Sequence, residues 1–346
     1  AIFSMSIAAV SYAASLKPPG PPAPTTKGLN EVQPRTPIPE LPAVIDESGS
    51  YYLTRNLILN DTNQDGIVID LNSINSDHPI SLDLQGFALI GPGQGQGNGI
   101  AVLSPQIRRH VPITIKNGAV TGWGGDGIVA DSVPCDFIKE MHVYKNGGNG
   151  LVIGEGSIVR EVHAADNGKT GIWAANGSTI DDCIAIQNGG TGIHIAGATT
   201  PSDIGEGRIQ GCLARDNGAS GFLLDSGGLV KDSLAYENGL NGFDIRRYTA
   251  TLQSCSASSN TASGFAFDGA GDFSVIHCKS SLNGTDGYNV AGNTARGVFL
   301  SSQAFENVQT GFHLGPSVNG IRAFNNSSYG NGRGFFIEGF GNLIVK

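Results

Sequence analysis

Short runs in which apolar and polar residues alternate recur along the chain, each led by glycine, as in Gly192-Ile193-His194-Ile195. A phrase precedes each run: Asn-Gly-x-x-Gly followed by a large apolar residue, as in Asn146 to Leu151 and Asn167 to Ile172. It returns at Asn188 with Ile193, Asn217 with Phe222, Asn238 with Phe243, Asn260 with Phe265, Asn283 with Tyr288, Asn307 with Phe312 and, one residue shorter, Asn331 with Phe335. From Gly127 to Gly334 the glycine before the apolar residue recurs nine times over 207 residues, a mean spacing of 23. Each repeat also holds a second run, such as Ser178-Thr179-Ile180 or Gly207-Arg208-Ile209. Period-two alternation in runs too short for three helical turns predicts strands joined by turns. A fixed period of this size predicts a solenoid, so the fold class is all-β, a parallel β-helix of about twelve coils.

Stacked coils turn each sequence position into a column, with equivalent residues about 4.8 Å apart. The residue after the glycine points inward, giving a column that changes from Ile128, Leu151, Ile172 and Ile193 to Phe222, Phe243, Phe265, Tyr288, Phe312 and Phe335. That aromatic column is expected to stack in the core. The asparagines form another column, because their side chains bond neighbouring backbone at a bend, tolerate left-handed dihedrals and can stack as a ladder.

The chain divides into three stretches. Residues 1–15 are apolar and small with Ser11-Tyr12-Ala13 near the end, like the later part of a secretion signal, which predicts a secreted or cell-surface protein; the stretch is too short to span a bilayer. Residues 16–45 are rich in proline and predict an extended linker. Residues 46–346 form the solenoid, with Ser50–Thr54 and Asn56–Leu59 expected as a strand pair capping its first coil. Three coils are long, and their extra residues fall at Gly91 to Gly99, at Ser104 to Pro112 with Arg108, Arg109 and His110, and at Ala198 to Glu206.

A net charge of −9 argues against nucleic acid as the partner. Of the five cysteines, Cys183, Cys212, Cys255 and Cys278 share one place in their coils, which predicts a buried column of free thiols and no disulfide scaffold.

Chemistry must come from outward columns. One reads Val129, Val152, Trp173, His194, Leu223, Asp244, Ala266, Asn289, His313 and Phe336; the next holds Asp225, Arg246 and Asp268 and ends at Glu338. Together they place Asp225, Asp244, Arg246 and Asp268 on three consecutive coils near His194 and Trp173. One reading is a solvated ion ladder, each pair contributing about 0–1 kcal/mol. The other is a polysaccharide groove: Trp173 stacks on a sugar, His194, Asn289 and Arg247 bind substrate, Arg246 meets a uronate carboxylate, and Asp225, Asp244 and Asp268 act as acid and base or hold Ca²⁺. His313 lies three coils from Asp244 and reads as a bystander or a distant subsite.

From about Asp65 onward, the coil phrase and the Leu82-Asp83-Leu84-Gln85-Gly86-Phe87 opening resemble the right-handed parallel β-helix proteins of the pectate-lyase type. That superfamily includes lyases, hydrolases and epimerases, so the resemblance implies a fold and leaves the activity open. Polygalacturonases of this type use three Asp beside a His and an Arg-Ile-Lys tripeptide. This chain offers Asp225, Asp244 and Asp268 with Arg246-Arg247-Tyr248, and lacks the family's Asn-Thr-Asp and Gly-His-Gly patterns. A structural role is the third expectation: open coil ends, with the apolar N-terminal arm, would let copies join head to tail as a filament.

Overall fold

The computed structural model describes residues 35–74, 77–104, 111–131, 133, 137–197, 207–225, 227–247, 249–269, 271–292 and 296–345. The signal-like stretch, most of the proline-rich stretch, Arg108, Arg109, His110, the 198–206 loop and Tyr248 lie outside these residues. Thr36–Lys346 forms one compact unit, without a helix among the described residues. None of them forms a helix long and apolar enough to cross a membrane.

The unit is a parallel β-solenoid. One face is a thirteen-stranded sheet in which each strand bonds its equivalent one coil on, from Ala43–Ile45 through Ile193–Ile195 and Phe243–Arg246 to Arg333–Ile337, which makes about twelve turns. A 23-stranded sheet covers the remaining sides. In early coils single strands, Ile113–Thr121, Phe137–Tyr144 and Ile158–Ala165, cross both of those sides. Later coils divide them, as Gly228–Lys231 and Leu234–Tyr236 do.

At the bend between those sides one residue takes a left-handed φ, Asn117 at 59°, Glu140 at 54°, Glu161 at 54° and Asp232 at 50°. The bend slips the alternation by one residue, so period two fails there: Phe137–Tyr144 runs from intermediate and buried positions through an exposed Glu140 back to a buried Met141.

The sequence boundaries at the N-terminal end need correction. Thr36–Ile38 and Ala43–Ile45, inside the proline-rich stretch, are already strands of the first coil. Pro37 is accommodated because its strand is an edge, paired only to Gly49–Leu53, where a missing N–H costs no ladder bond. Gly49–Leu53 and Leu57–Ile58 do not pair with each other as a cap; they pair with Ile80–Asp83 and Ala88–Ile90 of the next coil.

Inside, the aromatic column stacks as expected, with ring centroids 4.7 Å apart between Phe222 and Phe243, 4.8 Å between Phe243 and Phe265, and 4.6 Å between Tyr288 and Phe312. The four cysteines are buried and free. Ser233 and Ser302 share their column, donating or accepting in the same places: Cys212 N–H bonds Ser233 Oγ and Cys278 N–H bonds Ser302 Oγ, each at 3.2 Å. Burial pushes the Cys183 thiol well up from its ordinary range, which keeps it protonated and unreactive.

The asparagine ladder is continuous. Each Nδ2 donates to the Oδ1 of the next asparagine, from Asn146–Asn167 at 3.0 Å to Asn307–Asn331 at 2.8 Å. The left-handed residue is the one before the asparagine, Lys145, Asp166, Gln187, Asp216 and Glu237 among them, so the asparagine serves as a bonding group and not as a φ specialist. The glycine of the phrase is there for room: a Cβ on Gly242 would meet Gly264 O at 2.6 Å and Asn260 Nδ2 at 2.8 Å.

Candidate functional site

The inward residues on either side of each outward one determine where the polar side chains stand. Phe243 and Ile245 are fully buried, so Asp244 between them must face away from the core, and Ile193 and Ile195 do the same for His194. Parallel register then brings the column together: Trp173 opposite His194, His194 opposite Leu223, Leu223 opposite Asp244, Asp244 opposite Ala266, Ala266 opposite Asn289. Arg246 stands opposite Asp268 in the second column.

Two pairs dominate the geometry. His194 Nε2 lies 2.9 Å from Asp225 Oδ2, and the Trp173 ring meets the His194 ring edge-on at 6.1 Å. Arg246 grips Asp244 through Nη2 to Oδ2 at 2.9 Å and Nε to Oδ1 at 3.3 Å, while Ser220 Oγ donates to the same Oδ2 at 3.4 Å. Asp244 is only 5% exposed, so this is no solvated ladder: a buried carboxylate needs its partner. Burial works against the Arg246 charge, and the Asp244 bond and charge, with Asp225 and Asp268 behind them, more than restore it. Beside this pair lies an open hollow of about 270 Å³ lined by Asn241, Asp244, Arg246, Asp268 and Asn289 over Ala266, Phe267 and Ala291.

Asp225 titrates below the ordinary carboxylate range, chiefly because His194 bonds it; burial opposes this, and the charges of His194, Arg246 and Arg247 add to it. A lowered folded-state value stabilises the protein above the unfolded value, near 4, and that contribution fades as pH falls through the folded value. Carbon-13 titration of the Asp225 carboxyl is expected to show an apparent pKa below that of an ordinary Asp, rising toward it in His194→Gln. An unchanged titration in that variant would mean that the bond does not hold the carboxylate.

The residues expected from the sequence thus come together in two adjoining groups. Asp225 and Asp244 are engaged by His194 and Arg246, and among the described residues no group of three His, Cys, Asp or Glu side chains is arranged as for a metal ion. What the sequence reading missed is a cluster around His313. Its Nδ1 lies 3.1 Å from Asp286 Oδ2 and its Nε2 3.1 Å from Glu338 Oε1, and Asp286 Oδ1 accepts the Thr310 N–H at 2.9 Å. His313 and Glu338 were visible in the outward columns. Asp286 was not, because it precedes the repeat glycine, at a position that forms a polar column of its own: Asn98 N–H bonds Asp65 and Asn149 N–H bonds Asp126.

A family model of the right-handed β-helix region matches residues 43–208 and 202–346. The chain belongs to the right-handed β-helix family. Two solved structures of Azotobacter vinelandii share this β-helix. The A-module of mannuronan C-5 epimerase AlgE4 is 14% identical, with a TM-score of 0.59 over 86% of this chain and 91% of that one. The A-module of mannuronan C-5 epimerase AlgE6 is 14% identical, with a TM-score of 0.60 over 90% of this chain and 88% of that one. At this identity the likeness shows the fold. No curated protein matches this β-helix by sequence.

Proposed function

We propose that this β-helix binds an extracellular or cell-surface polysaccharide along the outward face from Trp173 to Asn289. The observation that carries the reading is the open hollow beside the Asp244–Arg246 pair. Its floor is apolar, its rim offers carboxylates and amides that can accept and donate to sugar hydroxyls, and the ion pair holds that rim rigid before any ligand arrives. Trp173 extends the same column and supplies an aromatic surface of the kind on which a sugar ring packs. The two solved structures are named as enzymes acting on mannuronan, itself a polysaccharide, which supports the class of ligand.

Affinity electrophoresis and calorimetry against uronate-rich and neutral polysaccharides, with and without Ca²⁺, test the reading. At least one polymer is expected to bind, and Trp173→Ala is expected to weaken it about thirtyfold, the loss of about 2 kcal/mol associated with an aromatic anchor. Unaltered binding in Trp173→Ala and Asp268→Ala would place any affinity elsewhere on the molecule.

A second reading has its own observation, the 2.9 Å His194–Asp225 contact. A carboxylate that orients an imidazole is an arrangement for proton transfer, so lyase, hydrolase or epimerase chemistry at Asp225, Asp244 and Asp268 is assayed alongside. Reducing ends, unsaturated products and solvent deuterium uptake into the polymer separate the three, and His194→Ala must abolish whichever appears.

A further inference from the structure

The His313 cluster lies on the same outward column as the proposed face, and it shapes a hollow of about 390 Å³, larger than the one beside Arg246, lined by Gln309, Thr310, His313, Gly332, Arg333 and Phe336. Its charges are not arranged like those around Arg246. His313 is enclosed by carboxylates from the coils before and after it, Asp286 and Glu338. Ionised carboxylates only accept hydrogen bonds, so a ring nitrogen that carries a proton donates to the carboxylate facing it. The two anions of this cluster are thereby turned toward the imidazole.

Arg333 is the contrasting group. Its guanidinium carbon sits 4.6 Å from the centroid of the Phe336 ring, it makes no ion pair among the described residues, and its side chain is exposed at the rim of the hollow. Its backbone is tied to the preceding coil by the Arg333 N–H to Gln309 O bond of 2.7 Å. The ring in turn leans on His313, with centroids 5.3 Å apart. An arginine stacked on an aromatic ring keeps its charge and its fork of donors while losing little freedom when an anion arrives. Arg246, by comparison, already spends two donors on Asp244.

We infer that this hollow is a binding site for an acidic sugar, with Arg333 holding its carboxylate or sulfate group and Gln309 and Thr310 facing its hydroxyls. The inference rests on the proposed polysaccharide function and narrows it: the polymer is an acidic one. The two arginines stand well apart on the face, since Ile245 and Ile337 on their strands are joined by four strand pairings, through Phe267, Val290 and Leu314, about 19 Å along the axis. The two hollows adjoin where Asn289 pairs with His313.

The test is an NMR titration of the full chain with glucuronate, glucose 6-sulfate and glucose, reading the His313 ring protons. Both acidic sugars are expected to shift those signals and glucose is not. If only one of them acts, it identifies which acid group the hollow accepts. Arg333→Ala is expected to weaken the acidic sugar about tenfold, and Arg333→Lys to recover part of that loss. No response to either acid, an equal response to glucose, or an undiminished response in Arg333→Ala would overturn the assignment. A monosaccharide is too short to touch Arg246 and Arg333 together. A protein that binds neutral polysaccharide yet ignores both acids therefore loses this site and keeps the first reading.

Discussion

Asn217→Ala is expected to destabilise the solenoid by about 3–5 kcal/mol, on the basis of about 1–3 kcal/mol for each buried group left without a partner. The asparagine is 2% exposed, and four bonds run through its side chain. Its Oδ1 accepts from the Asn188 N–H at 3.1 Å and Asn188 Nδ2 at 3.0 Å; its Nδ2 donates to Ala185 O at 3.0 Å and Asn238 Oδ1 at 3.0 Å. Alanine leaves the Asn188 N–H and one of the two Asn188 Nδ2 hydrogens without an acceptor and takes a donor from Ala185 O, while Asn188 Nδ2 keeps its bond to Ala164 O and Asn238 Oδ1 still receives the Asn217 N–H. Urea unfolding of the variant reads the loss directly. A change within about 1 kcal/mol would mean that water enters and replaces the ladder.

Phe243→Ala is expected to cost a similar amount, about 3–5 kcal/mol, through a different mechanism: transfer of a buried ring and the cavity it leaves. The ring is fully buried and stacked on both sides, tilted by 4° from Phe222 and 4° from Phe265. Phe243→Leu retains most of the volume and is expected to cost clearly less. The alanine variant should also weaken ligand binding, because Asp244 is the next residue and its outward direction depends on that ring staying in the core. Thermal unfolding and calorimetry on the same samples separate the two effects. Full ligand affinity in a destabilised Phe243→Ala protein would show that the Asp244–Arg246 pair maintains its own geometry.

The strand face was legible because its signal is local and strictly periodic. A glycine, an inward apolar residue and an outward residue recur in each coil, and the register pairs Trp173 with His194 and Asp244 with Ala266 as the alternation requires. The other sides were less legible because a single left-handed residue, such as Glu140 or Asp232, shifts the period without any residue type that marks it. Composition misled at the first coil, where Pro37 suits an edge strand as well as it suits a linker. At the site, the columns brought Asp225, Arg246 and Asp268 to neighbouring coils but carried no information on pairing. That Asp244 would be buried under Arg246, and that Asp286 would reach His313, depends on side-chain directions that alternation alone does not encode.

The ladder also determines how the molecule would come apart under load. Each rung of the ladder joins asparagines one coil apart, 21 residues off at Asn146–Asn167 and 29 at Asn188–Asn217. A pull that peels the chain from an end coil therefore loads the outermost rung first. The rod would yield as a zipper does, releasing chain in parcels of one coil, the parcel from Asn188 to Asn217 longer than its neighbours.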